Sequence, residues 1–309
     1  MKKWHFKLLK DNIKSLIPFQ KQLRRWKREL SPYQTNFEND MLAIESGIEE
    51  IEMLRRNGID IEGKSVLEIG SGWSPVIPIL YSLVGARCVH MTDMEQLMDE
   101  RTILNALSLV RKNSKEICNR LNIQKSHLMD VVNVTRDSDR ATQNLSNLNN
   151  LLRLEYHVPF DQQKLEDNSV DIVCSRAVLE HISKELLIQL FTKFHRILKA
   201  DGVMCHIIDN SDHWEHKDKS ISRINFLKYE DLFWQFTCWN SQNYQNRLRH
   251  HEYVELFNNL NYTVIEEKSD VDSQSLKDLI GFPLALKFRG MPEDSLAAMT
   301  SYFVLKPFS

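Results

Sequence analysis

A dense run of polar side chains follows one apolar segment of the chain. After Gly202–Ile208 the sequence continues Asp209-Asn210-Ser211-Asp212-His213-Trp214-Glu215-His216. An imidazole that a carboxylate orients can take a proton from a hydroxyl at neutral pH. We therefore predict His213 as a general base, with Asp209 or Asp212 to orient it. His181, which follows another apolar segment, is the second candidate, and its alternative role is only to shape a pocket.

The same run holds side chains that divalent metals prefer. His213 and His216 could bind an ion together with Asp209 and Asp212. Clusters of this kind are also common in polar surface loops. The sequence therefore favours a site without a metal.

Two glycines lie together in a chain that has few. Only nine of the 309 residues are glycine, and two of them fall in Val66-Leu67-Glu68-Ile69-Gly70-Ser71-Gly72-Trp73-Ser74-Pro75. This segment lies between a predicted strand and a predicted helix, which indicates a tight turn where a ligand approaches the backbone. In a doubly wound sheet such a turn lies at the carboxyl edge, where nucleotide-like ligands bind.

The residues around this turn favour a ligand without a pyrophosphate. The dinucleotide-binding pattern needs a glycine where this chain has Pro75, which lacks a backbone N–H. Glu68 would repel a pyrophosphate but could attract an ammonium or sulfonium group. Asp93 ends the next predicted strand, where a carboxylate can accept bonds from both ribose hydroxyls. The alternative role of Asp93 is a helix N-cap.

Strands and helices alternate along most of the chain, which predicts an α/β fold with a mostly parallel sheet and helices on both faces. The predicted strands are Lys64–Ile69, Arg87–Thr92, Leu152–Val158, Val170–Ser175, Gly202–Ile208, Tyr262–Glu267 and Ser301–Lys306. The predicted helices are 38–57, Val76–Leu83, 97–120, Lys184–Leu198, 250–260 and most of 276–299. Residues 135–150 are predicted to form a loop or a short exposed insertion.

Four ordered motifs resemble class I S-adenosylmethionine-dependent methyltransferases of the type 11-like group. The first is Glu68-x-Gly70-x-Gly72 with the acid Asp93 after the second strand. Phe160–Val173 resembles the family's adenine-contacting acid and fourth strand, and Ser175–Ile182 resembles its "LEH" motif. Arg196–Gly202 resembles the "LKPGG" turn before strand five. The likeness covers roughly residues 60–210 and implies a Rossmann-like fold with a seven-stranded sheet.

The resemblance also implies which residues hold S-adenosylmethionine. Glu68 would lie near the methionine end of the cofactor, and Gly70 and Gly72 would lie along its length. Asp93 would bind the ribose, and Asp161 would bind the adenine amine. Ser175 would lie under the methionine moiety. The predicted cofactor-binding residues are Glu68, Gly70, Ser71, Gly72, Asp93, Met94, Asp161, Gln162 and Ser175. Asp161 has the alternative role of a turn-capping acid.

Residues 211–249 are rich in aromatic and basic side chains and are predicted to be a helical insertion after strand five. Aromatic faces stack on sugar rings, and arginine binds carboxylates or phosphates. We therefore predict a substrate lid, with Asn246-Arg247-Leu248-Arg249 as an anion contact. The alternative is a helical subdomain that packs its own core.

The first 35 residues are predicted to form a basic helical arm, ahead of a methyltransferase domain over residues 36–309. Residues 1–30 carry a net charge of +8, whereas the whole chain carries −2, so residues 31–309 carry −10. Two amphipathic halves, divided by Pro18, have Trp4 and Trp26 near their ends. Such helices suit the surface of an anionic membrane. The alternative is that the arm packs on its own domain or on a second subunit.

The composition is that of a globular protein and excludes a disordered or collagen-like chain. Five scattered cysteines without a Cys-x-x-Cys pair indicate reduced thiols rather than zinc or disulfides. No segment has the length of a membrane span or the pattern of a secretory signal. We expect a cytoplasmic protein, with the arm placing it at the inner face of the membrane.

The predicted function is methyl transfer to a sugar hydroxyl or phosphate of a cell-surface polysaccharide or its precursor. This acceptor rests on the basic arm, on the insertion and on a whole-chain resemblance to methyltransferases of bacterial polysaccharide gene clusters. The alternatives are a small-molecule methyltransferase, for quinones or a secondary metabolite, and a non-catalytic binding module. A homo-oligomer is left open, and no nucleic-acid partner is expected, because no platform of aromatic and basic side chains recurs.

Overall fold

The computed structural model describes residues 8, 10, 12, 37–133, 152–237 and 244–308, and a seven-stranded sheet lies at its centre. The strands are β1 (Ser65–Ile69), β2 (Cys88–Thr92), β3 (Leu154–His157), β4 (Val170–Arg176), β5 (Leu198–Asp209), β6 (Tyr262–Val271) and β7 (Ala298–Pro307). Their order in the sheet is β3-β2-β1-β4-β5-β7-β6. Strands β1 to β5 pair in parallel, and β7 runs antiparallel to both of its neighbours. The predicted fold, a mostly parallel Rossmann-like sheet, is confirmed.

Helices cover both faces of this sheet. They are α1 (Phe37–Arg56), α2 (Val76–Leu83), α3 (Glu100–Lys112), α4 (Ser114–Leu121), α5 (Lys125–Asn133), α6 (Lys184–Ile197), α7 (Asp231–Thr237), α8 (His250–Asn259), α9 (Ser273–Asp278) and α10 (Glu293–Ala297). One core lies between the sheet and the helices α1 to α5, and a second lies between the sheet and α6 and α8. All five residues of β1 are buried because both faces of this strand are covered.

The register of the strands brings distant segments to one edge of the sheet. Glu68 of β1 pairs with Met91 of β2, and Ser175 of β4 pairs with His206 of β5. Strands β1, β2, β4 and β5 therefore end at the same side. The loops that follow them carry most of the residues with predicted chemistry.

Two of the helix predictions are wrong in detail. The predicted helix 97–120 is two helices, because Asn113 leaves the helical conformation and ends α3 where α4 begins. Residues 276–299 are not largely helical. Gly281 and Gly290 have positive φ angles of 70° and 82°, and Pro283 and Pro292 lack the N–H that a helix interior needs. Only the end of α9, a short turn at Leu286–Phe288 and α10 are helical there.

A third core lies beneath the insertion that follows β5. It is formed by Trp214, Ile221, Ile224, Phe226, Leu227 and Trp234 together with residues of the 279–299 segment. Leu8 of the arm belongs to this core, and Asn12 Nδ2 donates to the Thr237 carbonyl over 3.0 Å. The remainder of the arm, and the predicted loop 135–150, lie outside the described residues. Within the described ranges, none of the helices combines the length and the apolar character that crossing a membrane requires.

Candidate cofactor and acceptor site

The glycine turn after β1 has a conformation that needs glycine. Gly70 and Gly72 have φ angles of +70° and +65°, which side chains rarely allow. A Cβ on Gly70 would also lie 2.6 Å from Val178 Cγ2. Ser71 N donates to the Thr92 carbonyl over 2.8 Å, and Thr92 N donates to Ser71 Oγ over 3.2 Å. The turn is thereby held against the end of β2.

Asp93 links the glycine turn to the loop after β2. Its Oδ2 accepts from Gly72 N at 3.1 Å, and its Oδ1 accepts from Met94 N at 2.7 Å. The N-cap alternative for Asp93 is wrong, because Asp99 caps α3. The carboxylate is partly exposed, so lone pairs remain for a ligand's hydroxyls. The Met94 side chain is 71% exposed.

Glu68 is a buried acid whose Oε2 has no hydrogen-bond partner in the described chain. Burial raises the pKa of Glu68 to about 7, the negative charge of Asp93 adds to the rise, and Ser71 and Arg176 oppose it. A buried carboxylate oxygen without a donor is costly to maintain. A cationic group of a bound ligand would remove that cost, so Glu68 fits the predicted contact with the methionine end.

The loop after β3 completes this side of the site. Phe160 N donates to the Asp93 carbonyl over 2.8 Å, which places Asp161 next to the ribose-binding candidate. A cavity of about 210 Å³ is lined by Tyr156 to Asp161 together with Lys164 and Leu165. Asp161 Oδ1 accepts from Gln163 N at 3.0 Å, so this acid does cap its own turn, and its exposed carboxylate can still accept further bonds. Gln162 begins that short turn.

Ser175 is a buried residue of β4 whose hydroxyl has a partner on the adjacent strand. It is fully buried, and its Oγ lies 2.8 Å from Nδ1 of His206 on the adjacent strand. Burial lowers the pKa of His206 to about 3, so this imidazole is neutral and part of the core beneath α6. The Ser175 hydroxyl therefore has a partner within the sheet, and the place of Ser175 under the methionine moiety stays a prediction.

Acidic side chains gather around Arg176 at the end of β4. Glu50, Asp209, Glu180 and Glu68 all act on this guanidinium, and its Nε also donates to Ser46 Oγ over 3.0 Å. Sequence reasoning missed Glu50, which lies on α1 with its side chain fully buried. Its signal was an acid next to Ile51 on the apolar face of a predicted helix. Burial raises the pKa of Glu50, Glu68 and Glu180, so a bound cation would favour their charged forms.

The predicted pair of Asp209 and His213 is present in the structure. Asp209 Oδ2 lies 3.2 Å from His213 Nε2, and its Oδ1 accepts from Ser211 N and Oγ at 2.9 and 2.6 Å. Burial alone would raise the pKa of Asp209, but the close contact and charge of His213 and the hydrogen bonds from Ser211 lower it well below its ordinary value. Asp209 is therefore an anion beside the imidazole.

His181 joins this pair from the turn after β4. Its ring centre lies 4.9 Å from that of His213, and its Nδ1 lies 2.8 Å from the Tyr244 carbonyl oxygen. Burial, with the nearby charge of His213 next, lowers the pKa of His181. Both predicted histidines thus reach one point of the sheet edge.

Asp212 does not orient His213, so that prediction is wrong. Its side chain is fully buried, its Oδ1 accepts from Trp214 N at 2.8 Å, and its Oδ2 accepts from Asn225 Nδ2 at 3.2 Å. Burial raises the pKa of Asp212 to about 6. The side chain holds the start of the insertion together.

The predicted anion contact at Asn246–Arg249 is also wrong. Arg249 is fully buried and donates to the carbonyls of Asn210, Ser295, Leu296 and Ala298. Arg247 donates to the carbonyls of Phe226 and Tyr229 and pairs with Asp231. Both arginines bind the backbone of their own chain. The reading of the insertion as a subdomain with its own core agrees with these contacts.

Comparison with known proteins supports the predicted activity. A family model described as "Methyltransferase domain" matches residues 116–206. No curated protein matches the sequence. The predictions of an enzyme that transfers methyl groups, with S-adenosylmethionine as its cofactor, are confirmed at this level.

Solved structures with this kind of fold are distant from the chain. Magnesium protoporphyrin IX methyltransferase from Synechocystis, with bound S-adenosylhomocysteine, is 11% identical, with 93% of this chain and 94% of that chain covered and a TM-score of 0.45. An S-adenosylmethionine-dependent methyltransferase from Mesorhizobium loti is 12% identical, with 82% and 95% covered and a TM-score of 0.43. Phosphoethanolamine N-methyltransferase 2 from Haemonchus contortus is 15% identical, with 84% and 52% covered and a TM-score of 0.45. Because these TM-scores are all below 0.5, the fold is assigned from the strand order of this chain alone.

Proposed function

We propose that the enzyme transfers the methyl group of S-adenosylmethionine to a hydroxyl of a carbohydrate, as part of a cell-surface polysaccharide or its precursor. The observation that carries the proposal is the anionic Asp209 beside His213, at the sheet edge that also holds the unpartnered Glu68. A phosphate acceptor has less support, because Arg247 and Arg249 are engaged with backbone carbonyls.

The chain's own groups suit the parts of the cofactor. Glu68 would hold the ammonium of the methionine end, and the glycine turn would admit the cofactor against its backbone. Asp93 would hold the ribose hydroxyls, and Asp161 with Gln162 would hold the adenine amine. When bound, the cofactor supplies a methyl group on a sulfonium that a nucleophile can take. The remaining task of the protein is to align and deprotonate that nucleophile.

His213 is proposed as the group that accepts the hydroxyl proton. As the acceptor oxygen attacks the methyl carbon, the O–H proton passes to the imidazole. Asp209 then faces an imidazolium and stabilises it. The lowered pKa of Asp209 keeps this carboxylate charged throughout the neutral range.

A sugar acceptor is supported by exposed aromatic side chains of the glycine turn and of the insertion. Trp73 follows the glycine turn and is 51% exposed, and Phe233 and Phe236 of α7 are 48% and 80% exposed. Aromatic faces bind the apolar faces of sugar rings.

The contacts of Leu8 and Asn12 join the arm to the insertion, which supports packing for these two residues. We propose that the basic residues of the arm bind an anionic membrane, which would bring the enzyme to a lipid-linked precursor.

Two measurements test the acceptor. The full chain is incubated with labelled S-adenosylmethionine and either a lipid-linked oligosaccharide or a catechol-type quinol, and we expect label in the saccharide. Label only in the quinol would favour the small-molecule alternative. Label in neither, although the chain binds the cofactor, would favour a binding module.

The membrane contact is tested by sedimentation with vesicles. We expect the full chain to sediment with phosphatidylglycerol vesicles and not with phosphatidylcholine vesicles. In the matched control, Lys21, Arg24, Arg25, Lys27 and Arg28 are all replaced by Gln, which should release the protein. Equal sedimentation of both proteins would contradict a membrane role for the arm.

A further inference from the structure

Three ligating side chains converge at the acceptor side of the site. Glu180 and His181 lie on the short turn Leu179–His181 after β4, and His213 lies in the run after β5. One potential ligand atom from each lies within 4.8 Å of the other two. The set differs from the one that the sequence suggested, because His216 and Asp212 do not belong to it.

Glu180 is the unusual member of this set. Its side chain is 3% exposed, and neither carboxylate oxygen has a hydrogen-bond partner among the described residues. Burial raises the pKa of Glu180 well above its ordinary value, and the charge of Asp209 adds to the rise. An acid that is buried without donors is costly, unless a cation or a proton compensates its charge. The charge of Arg176 opposes this rise only in part, so a further cation would stabilise the Glu180 carboxylate.

His181 is oriented as a histidine that binds a metal usually is. A histidine that binds a metal commonly donates its other ring N–H to a carbonyl or carboxylate. His181 Nδ1 lies 2.8 Å from the Tyr244 carbonyl oxygen, which leaves the Nε2 lone pair directed elsewhere, and that atom lies 4.0 Å from Glu180 Oε1. His213 Nε2 is buried and makes no hydrogen bond of acceptable geometry within the described chain, although Asp209 lies 3.2 Å away.

We propose that Glu180, His181 and His213 hold a divalent transition-metal ion next to Asp209. Two imidazoles and one carboxylate suit zinc, manganese, iron or cobalt, and three protein ligands leave positions open for a substrate oxygen. Metal–nitrogen bonds are about 2.0–2.1 Å long, so an ion would draw the three ligand atoms together by roughly 1 Å.

The inference rests on the proposed function, and it changes the role of His213 from proton acceptor to metal ligand. A metal-bound hydroxyl loses its proton more readily, because the ion stabilises the oxyanion. With His213 bound to the ion, the proton of the acceptor hydroxyl would pass to Asp209, because the imidazole would no longer be free to accept it. The acceptor oxygen then forms its bond to the methyl carbon as the carbon–sulfur bond breaks. This arrangement needs no oxidant or reductant.

A second group of three ligating side chains in the described chain provides the control. Cys88, His90 and Glu155 converge on strands β2 and β3, away from the acceptor side. A metal held there would be bound by a thiolate. Cobalt distinguishes the two groups, because only a cobalt–thiolate bond produces an intense ligand-to-metal charge-transfer band.

The test is a titration of the chelator-treated full chain with CoCl2, without cofactor or acceptor, followed by visible absorption and calorimetry. We expect one ion per chain and no thiolate charge-transfer band. Glu180→Gln and His181→Ala should each weaken binding more than about 100-fold, because removing a ligand exceeds the effect of removing an outer contact. His90→Ala should leave binding unchanged. Circular dichroism confirms that each variant is folded, and either of the first two variants carries the test alone.

Three outcomes would overturn the proposal: no cobalt binding, binding unaffected by both Glu180→Gln and His181→Ala, or a thiolate band that His90→Ala removes. Methyl transfer that persists in excess chelator would also overturn the catalytic role of the ion. A chain that binds cobalt at Glu180 but never binds S-adenosylmethionine would instead contradict the proposed function. The two failures are therefore distinguishable.

Discussion

The cofactor side and the acceptor side of the site are built differently. The cofactor side consists of the three turns after β1, β2 and β3. Backbone N–H groups hold these turns together, because Gly72 N donates to Asp93 Oδ2 and Phe160 N donates to the Asp93 carbonyl. The acceptor side consists of side chains from the turn after β4, the run after β5 and the Tyr244 region, which imidazole and carboxylate contacts join. A turn geometry leaves a local pattern in the sequence, whereas a cluster of side chains does not.

This comparison predicts that the two sides can be disabled separately. His213→Ala should lower turnover by about 10²- to 10⁴-fold, which is the usual contribution of acid–base catalysis. The affinity for S-adenosylmethionine should stay unchanged, because His213 lies on the acceptor side. Steady-state kinetics and calorimetry measure the two quantities. Retained turnover would move the role to His181 or to simple proximity.

The glycine turn allows a matched pair of variants on the cofactor side. Gly70→Ala should lower the free energy of unfolding more than Gly72→Ala, because only the Gly70 Cβ would collide with Val178. Both variants strain a positive φ by about 1–2 kcal/mol, and overpacking adds about 1–3 kcal/mol for Gly70→Ala. Urea denaturation measures the difference. Equal losses would contradict the close approach of Val178.

Glu68 predicts how cofactor affinity depends on pH. A carboxyl with a pKa raised to about 7 is ionised only above that pH, so binding of an ammonium should tighten as the pH rises through 7. Between pH 8 and pH 6 the dissociation constant should increase about tenfold, in line with the ionised fraction. Asp93, Arg176 and Ser71 also act on this carboxyl and are unchanged in the control, Glu68→Gln. The control should show a flat profile over this range, and a slope as steep as that of the natural protein would exclude Glu68 as the cause.

Replacing Asp212 should have the smallest effect. In contrast to His213→Ala, it should lower stability and leave turnover nearly unchanged. Asp212→Asn places an amide where Asn225 donates, which should cost about 1 kcal/mol of stability. Turnover at a temperature below the melting range should change less than twofold, because Asp212 does not touch His213. A loss of turnover as large as that of His213→Ala would restore Asp212 to the orienting role.

Much of the fold could be predicted because its signals are local. Helix α2 has the predicted bounds, and strands β1 and β2 differ by one residue from the prediction, since apolar runs with turn residues at both ends mark such elements. The helix predicted over most of residues 276–299 is wrong, because an apolar pattern does not show where glycine and proline interrupt a helix. The predicted orienting role of Asp212 is wrong because sequence proximity does not show which partner a side chain meets.

The arginines of the insertion also show that the partner of a side chain cannot be predicted from its sequence neighbours. Arg247 and Arg249 follow many aromatic residues and suggested an anion site, but carbonyl oxygens from four distant residues surround Arg249. Glu180 is the reverse case. It matched the "LEH" motif without any role, and only the structure shows that its carboxylate is buried without a partner.

The central claim is that the turns after β1, β2 and β3 form a binding site for S-adenosylmethionine, and calorimetric titration of the full chain tests it directly. We predict binding at one site per chain. Asp93→Ala should weaken it by about 2 kcal/mol, or roughly thirtyfold, because the ribose loses hydrogen bonds to a charged group. An absence of binding, or an affinity that Asp93→Ala leaves unchanged, would contradict the account.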